Sequence, residues 1–125
     1  MGSSEIVNKV WNYAHVLRDD GVGYGDYVEQ ITFLIFLKMA DERLSALGAQ
    51  ASESKHEVPE KFSWSKLVKL DGDALENQYR HTLEALGKEG GMLGTIFRKA
   101  QNKIQDPAKL ERLIKMIEKE AWSTL

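Results

Sequence analysis

Residues 19–48 read DDGVGYGDYVEQITFLIFLKMADERLSALG, and they are the most informative part of the sequence for the fold. A glycine-rich turn at 21–25 leads into a segment that we interpret as one long helix over residues 26–47, with Gly48 as its left-handed C-terminal stop. The middle of that segment, residues 33–37 (FLIFL), is apolar on every face. A surface helix carries one apolar stripe, whereas a helix that is apolar all round is buried. We therefore expect this helix to form the buried centre of the domain.

Helical periodicity continues on both sides of the central helix, and no segment shows a convincing strand pattern. The predicted helices cover residues 4–18, 26–47, 73–86, 93–104 and a last helix that starts after residue 106, with a short helical turn at 65–70. The polar residues 48–61 are interpreted as a surface loop. The sequence thus predicts an all-α fold, a compact bundle of five to six helices around a long central buried helix.

Local signals predict where two of these helices begin. Asp73 is a candidate N-cap, with Glu76 three residues later completing a capping-box-like pair. Asp106 is a candidate N-cap for the last helix, with Pro107 at the favoured first helical position. Trp122 falls outside the apolar stripe of that helix, so we expect it to dock onto the residues that follow it. The other aromatic side chains lie mostly in apolar stripes, where core packing is the default.

The composition bounds the class of protein. A chain of 125 residues is long enough for one domain with a real core. Cysteine is absent, which excludes disulfides, thiolate zinc sites and a cysteine nucleophile. The longest apolar run, residues 33–37, is far shorter than the roughly 20 residues of a membrane span. We expect a cytoplasmic protein without a membrane contact.

Motifs for enzyme chemistry are missing. The glycines at 21–25 lack the spacing of a dinucleotide-binding G-x-G-x-x-G turn, and a helix rather than a strand precedes them. The three histidines lack the i, i+4 pairing of a helical zinc site. Residues 71–73 (DGD) begin like a calcium loop, but Thr82 stands where that loop needs glutamate. We therefore predict no catalytic, cofactor-binding or metal-binding residue in this chain.

The net charge of −2 conceals an asymmetry. Residues 1–60 carry five basic and ten acidic side chains, a balance of −5, whereas residues 61–125 carry twelve basic and nine acidic, a balance of +3. Bases concentrate at 98–119, and those of the last helix project opposite its apolar stripe. They either neutralise DNA phosphates without reading sequence or form the solvated face of two amphipathic helices. The candidates for phosphate contact are Arg98, Lys99, Lys103, Arg112 and Lys115.

Several stretches together resemble one known family. The pattern N-x-x-W-x-x-A-x-x-L-R is filled by Asn8, Trp11, Ala14, Leu17 and Arg18. The match is strongest over residues 21–43 and continues more loosely through 62–64 (FSW), 96–104 (IFRKAQNKI) and 110–122. These residues resemble the N-terminal helical domain of the modification (M) subunit of type I restriction-modification systems, which are adenine-specific DNA methyltransferases.

The resemblance implies a longer parent protein. In this family the helical domain precedes a Rossmann-like catalytic domain, which binds S-adenosylmethionine with a Gly-rich loop and holds the flipped adenine with an Asn-Pro-Pro-Phe motif. Neither motif occurs here, because the prolines are Pro59 and Pro107 and neither has a proline neighbour. Residues 1–125 are therefore expected to be a single N-terminal domain that is not an enzyme alone, with the catalytic domain C-terminal to residue 125.

The resemblance also implies partners. Two M subunits assemble with one specificity subunit, a restriction subunit joins them, and the helical domain helps to close the complex around DNA. The expected function is that of a DNA-clamping and subunit-contact domain in a protein that methylates the N6 atom of adenine. Two alternatives stay open at this point: a purely structural subunit-interaction module without DNA contact, and a free-standing helical regulatory protein.

Overall fold

Helices account for the regular structure of the computed structural model, which describes residues 2–19, 21–47, 58–119 and 122. The elements are α1 (Gly2–Asp19), α2 (Tyr24–Leu47), a 3-10 turn (Glu60–Phe62), α3 (Trp64–Val68), α4 (Gly72–Gly87), α5 (Gly91–Phe97) and α6 (Pro107–Glu118). Those described ranges contain no strand, so the all-α prediction is confirmed. The predicted stop at Gly48 and residues 48–57 of the predicted loop lie outside the described residues.

The glycine-rich stretch contains the turn between α1 and α2, as predicted, although α2 begins at Tyr24, two residues before the predicted start. Gly21 adopts φ +90°, a conformation that glycine takes without a steric cost. Its N–H donates to the Arg18 carbonyl and the Val22 N–H donates to the Leu17 carbonyl, each over 2.9 Å. These two bonds form a Schellman motif, and the buried Val22 side chain supplies the apolar contact that accompanies it. The turn therefore reverses the chain and places α2 against α1.

α2 is the buried centre of the bundle, as predicted. Tyr27, Leu34 and Leu37 are fully buried, and Ile31 and Phe33 nearly so. The Tyr27 hydroxyl donates to the Val10 carbonyl and so ties α2 to α1. Apolar burial of this extent is the main force that holds such a domain together.

α6 closes the core by packing against α1, α2, α3 and α4. Its buried stripe consists of Leu110, Leu113, Ile114 and Ile117. The predicted start is confirmed, because the Asp106 carboxylate accepts a 2.9 Å hydrogen bond from the Ala108 N–H and Pro107 occupies the first turn.

A polar cluster joins α6 to α2 and α3. The Lys38 ammonium lies 3.0 Å from the Glu118 carboxylate and 3.5 Å from that of Glu42. Glu118 also accepts a 2.8 Å hydrogen bond from the indole of the buried Trp64. Burial acts to lower the pKa of Lys38, but the two carboxylates outweigh it and the pKa is raised. The ammonium is therefore charged in the folded chain.

Trp122 lies against this core, whereas we expected it to dock onto the residues that follow it. Its backbone N–H donates to Glu42 over 2.9 Å, and its indole N–H donates to the Ile117 carbonyl over 2.7 Å. The side chain is half-buried and packs on the apolar cluster. The Glu42 carboxylate of α2 and a backbone carbonyl at the end of α6 thus hold it near the helices that precede it.

The predicted helix over 93–104 is wrong in its second half. α5 ends at Phe97, and residues 98–106 run without helical structure. Lys99 adopts φ +60°, which ends the helix, and the Asn102 carboxamide oxygen accepts from the Ile104 N–H over 2.8 Å. Such a local bond offers the backbone an alternative to helix. Ile104 is buried as its spacing suggests, but from an irregular segment.

The predicted cap of α4 is also wrong. α4 begins at Gly72, so Asp71 is the N-cap and Asp73 lies in the first turn. Gly72 adopts φ +55°, which lets the chain enter the helix earlier than the aspartate pattern suggests. Glu76 consequently turns to other partners, the Arg80 guanidinium at 3.5 Å and the Asn102 amide at 3.3 Å.

Candidate nucleic-acid interface

The five predicted phosphate contacts belong to two parts of the fold. Arg98, Lys99 and Lys103 lie on the irregular segment 98–106, which we call the basic segment, rather than on a helix as predicted. Arg112 and Lys115 lie one turn apart on α6, facing away from its buried stripe. Four of these side chains are exposed and Lys103 is half-buried.

Two buried side chains, Gln30 of α2 and Tyr79 of α4, attach the basic segment to the core. The Gln30 amide of α2 donates to the Gln101 carbonyl over 2.9 Å. Its own carbonyl oxygen accepts a 2.7 Å hydrogen bond from the Tyr79 hydroxyl of α4. Both Gln30 and Tyr79 are 0% exposed. Burial, with a smaller effect of Glu29, raises the pKa of Tyr79 well above its ordinary value, so its hydroxyl remains a neutral donor.

Further contacts fix the two ends of the basic segment. Asn102 bridges to Glu76 on α4, and the Lys103 ammonium donates to the Gln101 side chain over 3.2 Å. At the other end, the Phe97 ring packs on Phe33 and Phe36 with ring centroids 5.3 and 5.7 Å apart. The segment is therefore attached to α2 and α4, while Arg98 and Lys99 are exposed and Lys103 is half-buried.

Lys99 has an unusual backbone. Its φ of +60° is a left-handed conformation that costs an ordinary side chain about 1–2 kcal/mol. The adjacent Ala100 N–H closes a tight turn onto the Phe97 carbonyl over 2.9 Å. This turn displays Arg98 and Lys99 side by side at the surface.

Lys115 on α6 already has a structural partner. Its ammonium donates to the Val68 carbonyl at the C-terminus of α3 over 2.9 Å. A cation at this position satisfies a carbonyl that the helix leaves without a partner and interacts favourably with the helix dipole. Any contact of Lys115 with an external phosphate competes with this bond.

The basic segment runs along α4 from one end of that helix toward the other. A Cβ atom placed on Gly87, the last residue of α4, would lie 3.8 Å from the Arg98 Cα atom. Lys115 meets Val68, four residues before α4 begins. Because α4 has 16 residues, it extends about 24 Å. Arg98 thus lies at the C-terminal end of α4, whereas Lys103 follows Asn102, whose amide reaches Glu76 in the first half of that helix. The candidates are therefore spread along α4, which the charge pattern alone did not predict.

The five candidate bases form no ion pair with a carboxylate among the described residues. Over the described ranges, ion pairs join Lys38 to Glu42 and Glu118, and Arg80 to Glu76. None involves the five candidates, so their charges are not neutralised by neighbouring acids of the described structure. Those same ranges contain no group of three or more side chains suited to a metal ion. They also contain no helix long and apolar enough to cross a bilayer.

Two surface features were not predicted from the sequence. Trp11 is 43% exposed and stacks on the exposed Tyr24 with a centroid distance of 6.4 Å, so the core expectation for Trp11 is wrong. Met92 on α5 is 72% exposed beside a groove. The role of Gln30 was also not predicted, although a lone amide just before the apolar run of α2 could have indicated it.

Comparison with known proteins agrees with this fold. Residues 6–117 match the family model described as the HsdM N-terminal domain. The chain is 30% identical over 123 residues to the type I restriction enzyme StySJI methylase subunit of Salmonella typhimurium, covering 98% of this chain and 22% of the relative. It is 29% identical, with the same coverage, to the type I restriction enzyme EcoKI methylase subunit of Escherichia coli K12.

A solved structure shows the same likeness. The crystal structure of the type I restriction enzyme EcoKI M protein matches with a TM-score of 0.75 and 28% identity, covering 94% of this chain and 23% of that one. The chain thus spans less than a quarter of the length of the proteins it matches.

Proposed function

Because the chain belongs to the HsdM N-terminal domain family, the N-terminal domain of type I restriction-modification M subunits, we propose that it holds DNA through the sugar-phosphate backbone and contacts neighbouring subunits. One observation carries the DNA contact. The basic segment is fixed by fully buried Gln30 and Tyr79, while Arg98 and Lys99 stand exposed above them. Cations on a rigid support lose little conformational freedom on binding, which favours affinity.

The same membership extends the proposal to the parent protein. We propose residues 1–125 as one helical domain, with a Rossmann-like catalytic domain C-terminal to residue 125. S-adenosylmethionine, bound by that domain, would supply the methyl group for the N6 atom of adenine. The proposed partners are DNA, a specificity subunit, a second M subunit and a restriction subunit. The support is the naming of the relatives as type I methylase subunits.

The arrangement of the bases favours phosphates over base edges. The candidates are spread along α4, whose length of about 24 Å corresponds to roughly seven base pairs at 3.4 Å each. Long flexible cations at this spacing can follow the backbone across a groove. Contacts of this kind position a protein on the duplex and carry no sequence information.

A subunit contact without DNA is the second candidate. It is favoured by Lys115, whose ammonium is already engaged by the Val68 carbonyl. In that case the bases would meet acidic surfaces of a neighbouring subunit, and the domain would not bind a duplex.

A salt series separates the two candidates. Binding of the 125-residue chain to a labelled generic duplex is measured between 50 and 200 mM salt. If all five bases neutralise phosphates, the slope of log K against log salt is about −4.5, and affinity falls about 500-fold over this range. Replacing Arg98, Lys99 and Lys103 by glutamine should reduce the slope by about 2.7, and replacing Arg112 and Lys115 by about 1.8.

Lys9→Gln on α1 and Lys66→Gln on α3 are matched controls, because both side chains are exposed and neither is a candidate. They should leave the slope within about 1 unit of the parent value. No binding at 50 mM salt, or equal slopes for the candidate and control variants, would reject the phosphate contact in favour of the subunit contact.

A further inference from the structure

An arginine of α4 lies beside the basic segment and is not one of the five predicted phosphate contacts. The Arg80 side chain is 46% exposed, and its Nε atom lies 3.5 Å from the Oε2 atom of Glu76. That same oxygen accepts a 3.3 Å hydrogen bond from the Asn102 amide of the basic segment. Because one oxygen serves both groups, the Arg80 guanidinium lies next to the part of the segment that carries Lys103.

The position of Arg80 on α4 extends the line of exposed cations. The basic segment approaches Gly87 with Arg98 at one end and reaches Glu76 through Asn102 at the other. Arg80 follows Glu76 by one helical turn, so it lies between these two points along α4. It therefore adds a cation from α4 alongside those of the basic segment. The run of bases at 98–119 could not reveal it, because Arg80 lies outside that run.

The contacts of Arg80 orient its guanidinium and leave donors for a ligand. Nε faces Glu76, and Nη2 donates to the Asn77 Oδ1 atom over 2.6 Å, whereas no described contact involves Nη1. The Glu76 side chain is 26% exposed, so its carboxylate is less accessible than the guanidinium that it holds. A guanidinium carries five N–H donors in a planar fork, which matches two oxygens of one phosphate.

We propose that Arg80 is a further phosphate contact of this domain and that Glu76 is its positioning residue. This inference rests on the proposed DNA contact and extends it from the basic segment onto α4. The ion pair with Glu76 does not prevent the contact, because the fork can meet a phosphate through Nη1 and Nη2 while Nε keeps facing the carboxylate. A sixth contact would steepen the salt slope of duplex binding by about 0.9.

The test uses the 125-residue chain and the labelled duplex of the salt series. Arg80→Gln should reduce the salt slope by about 0.9, whereas Arg80→Lys keeps the charge and should leave the slope unchanged. Lysine cannot form the bidentate contact, so Arg80→Lys should still bind about 3–10-fold more weakly than the unaltered chain. Arg18→Gln on α1 is the matched control, because this side chain is also an exposed arginine, and it should change neither quantity.

A second measurement needs no variant. The Nε–H NMR signal of Arg80 is recorded in the unaltered chain while the duplex is added. We expect this signal to shift, and the corresponding signal of Arg18 to stay in place. Loss of an exposed pair between neighbouring turns costs a helix little, so Arg80→Gln should also keep the fold of the chain.

The role of Glu76 is tested through its effect on Arg80. Glu76→Gln keeps an oxygen that can accept from Asn102 but removes the charge that faces Nε. The loss of affinity caused by Arg80→Lys should therefore be at least about 2-fold smaller in a Glu76→Gln background. A merely structural role of Glu76 would weaken binding by the same factor with arginine or lysine at this position, and that result would overturn the positioning role.

The outcomes separate this inference from the proposed function. Equal slopes for Arg80→Gln and Arg18→Gln, or undiminished affinity for Arg80→Lys, would overturn the phosphate contact of Arg80. If replacing Arg98, Lys99 and Lys103 still reduces the slope in that case, the proposed DNA contact stands without Arg80. Absence of duplex binding by the unaltered chain at 50 mM salt would overturn both.

Discussion

Tyr79→Phe tests the buried support of the basic segment. The substitution removes one hydroxyl oxygen and leaves the aromatic ring in place, so packing is preserved. It deprives the Gln30 carbonyl oxygen of a 2.7 Å hydrogen bond in a site that is 0% exposed. A buried acceptor without a partner costs about 1–3 kcal/mol. For a chain of 125 residues, 1 kcal/mol corresponds to about 4 °C in Tm, so we expect a loss of about 4–12 °C.

A double-mutant cycle identifies the bond as the cause. Gln30→Leu leaves the Tyr79 hydroxyl without an acceptor and also removes the donor to the Gln101 carbonyl. The double variant removes both polar partners, so the two losses should fall short of additivity by about 0.5–3 kcal/mol. Only the variants that lack Gln30 release the Gln101 carbonyl directly, and they should show faster amide hydrogen exchange over residues 98–106.

The assay is urea unfolding of the four proteins, with hydrogen exchange as the second measurement. Tyr24→Phe is the control, because Tyr24 is 66% exposed and its change should stay within about 0.5 kcal/mol. If Tyr79→Phe falls within that same range, or if the losses in the cycle simply add, the buried pair does not support the segment and the reasoning is refuted.

Three further predictions follow from single positions. A Cβ atom on Gly94 would lie 1.9 Å from a backbone oxygen, so Gly94→Ala should lower the free energy of unfolding by at least about 1–3 kcal/mol. Gly25 lies in α2 with open space around it, so Gly25→Ala should raise the free energy of unfolding by up to about 1 kcal/mol. Both are measured in the same urea assay. Burial raises the pKa of Tyr27 above its ordinary value, so the stability it contributes is complete below about pH 10 and is lost as the pH rises. Tyr27→Phe should therefore flatten the alkaline fall in unfolding free energy by about 1.4 kcal/mol per pH unit above pH 10, and an unchanged slope would contradict this. Lys99→Gly relieves the backbone strain of φ +60° and should stabilise the chain by up to about 1 kcal/mol. The same change should reduce the salt slope of DNA binding by about 0.9. A loss of stability would show that the backbone at this position is not strained.

Local signals predicted the parts of the fold that depend on local chemistry. The run at 33–37 predicted a buried helix because no face of it is polar, and Asp106 with Pro107 predicted the start of α6 because both act within one turn. The helix predicted over 93–104 failed at its end, where the local Asn102–Ile104 hydrogen bond is joined by a non-local one. There the Gln101 carbonyl is taken by Gln30, 71 residues away in sequence, and no helical pattern carries that information.

In the candidate site, too, some features could be predicted from the sequence and others could not. That Arg112 and Lys115 face solvent follows from the stripe on their own helix. Their separation from Arg98 depends on how α3, α4 and α6 pack, and therefore could not be predicted from charge spacing. Trp11 fits an apolar stripe in sequence, yet its ring stacks on the exposed ring of Tyr24 and does not pack in the core. Whether the bases meet phosphates stays a prediction for the salt series.

The central position of α6 has a consequence for synthesis on the ribosome. α1 is complete at residue 19, but the helix that closes its face ends only at residue 118, so 99 residues must be added between them. At about 5–20 residues per second this takes roughly 5–20 s. Until then the Tyr13 side chain, which is buried in the finished domain, lacks the Lys109 carbonyl of α6 to which its hydroxyl donates. Until α6 emerges, the nascent domain therefore carries uncovered apolar faces, and its core is complete only once that helix is available.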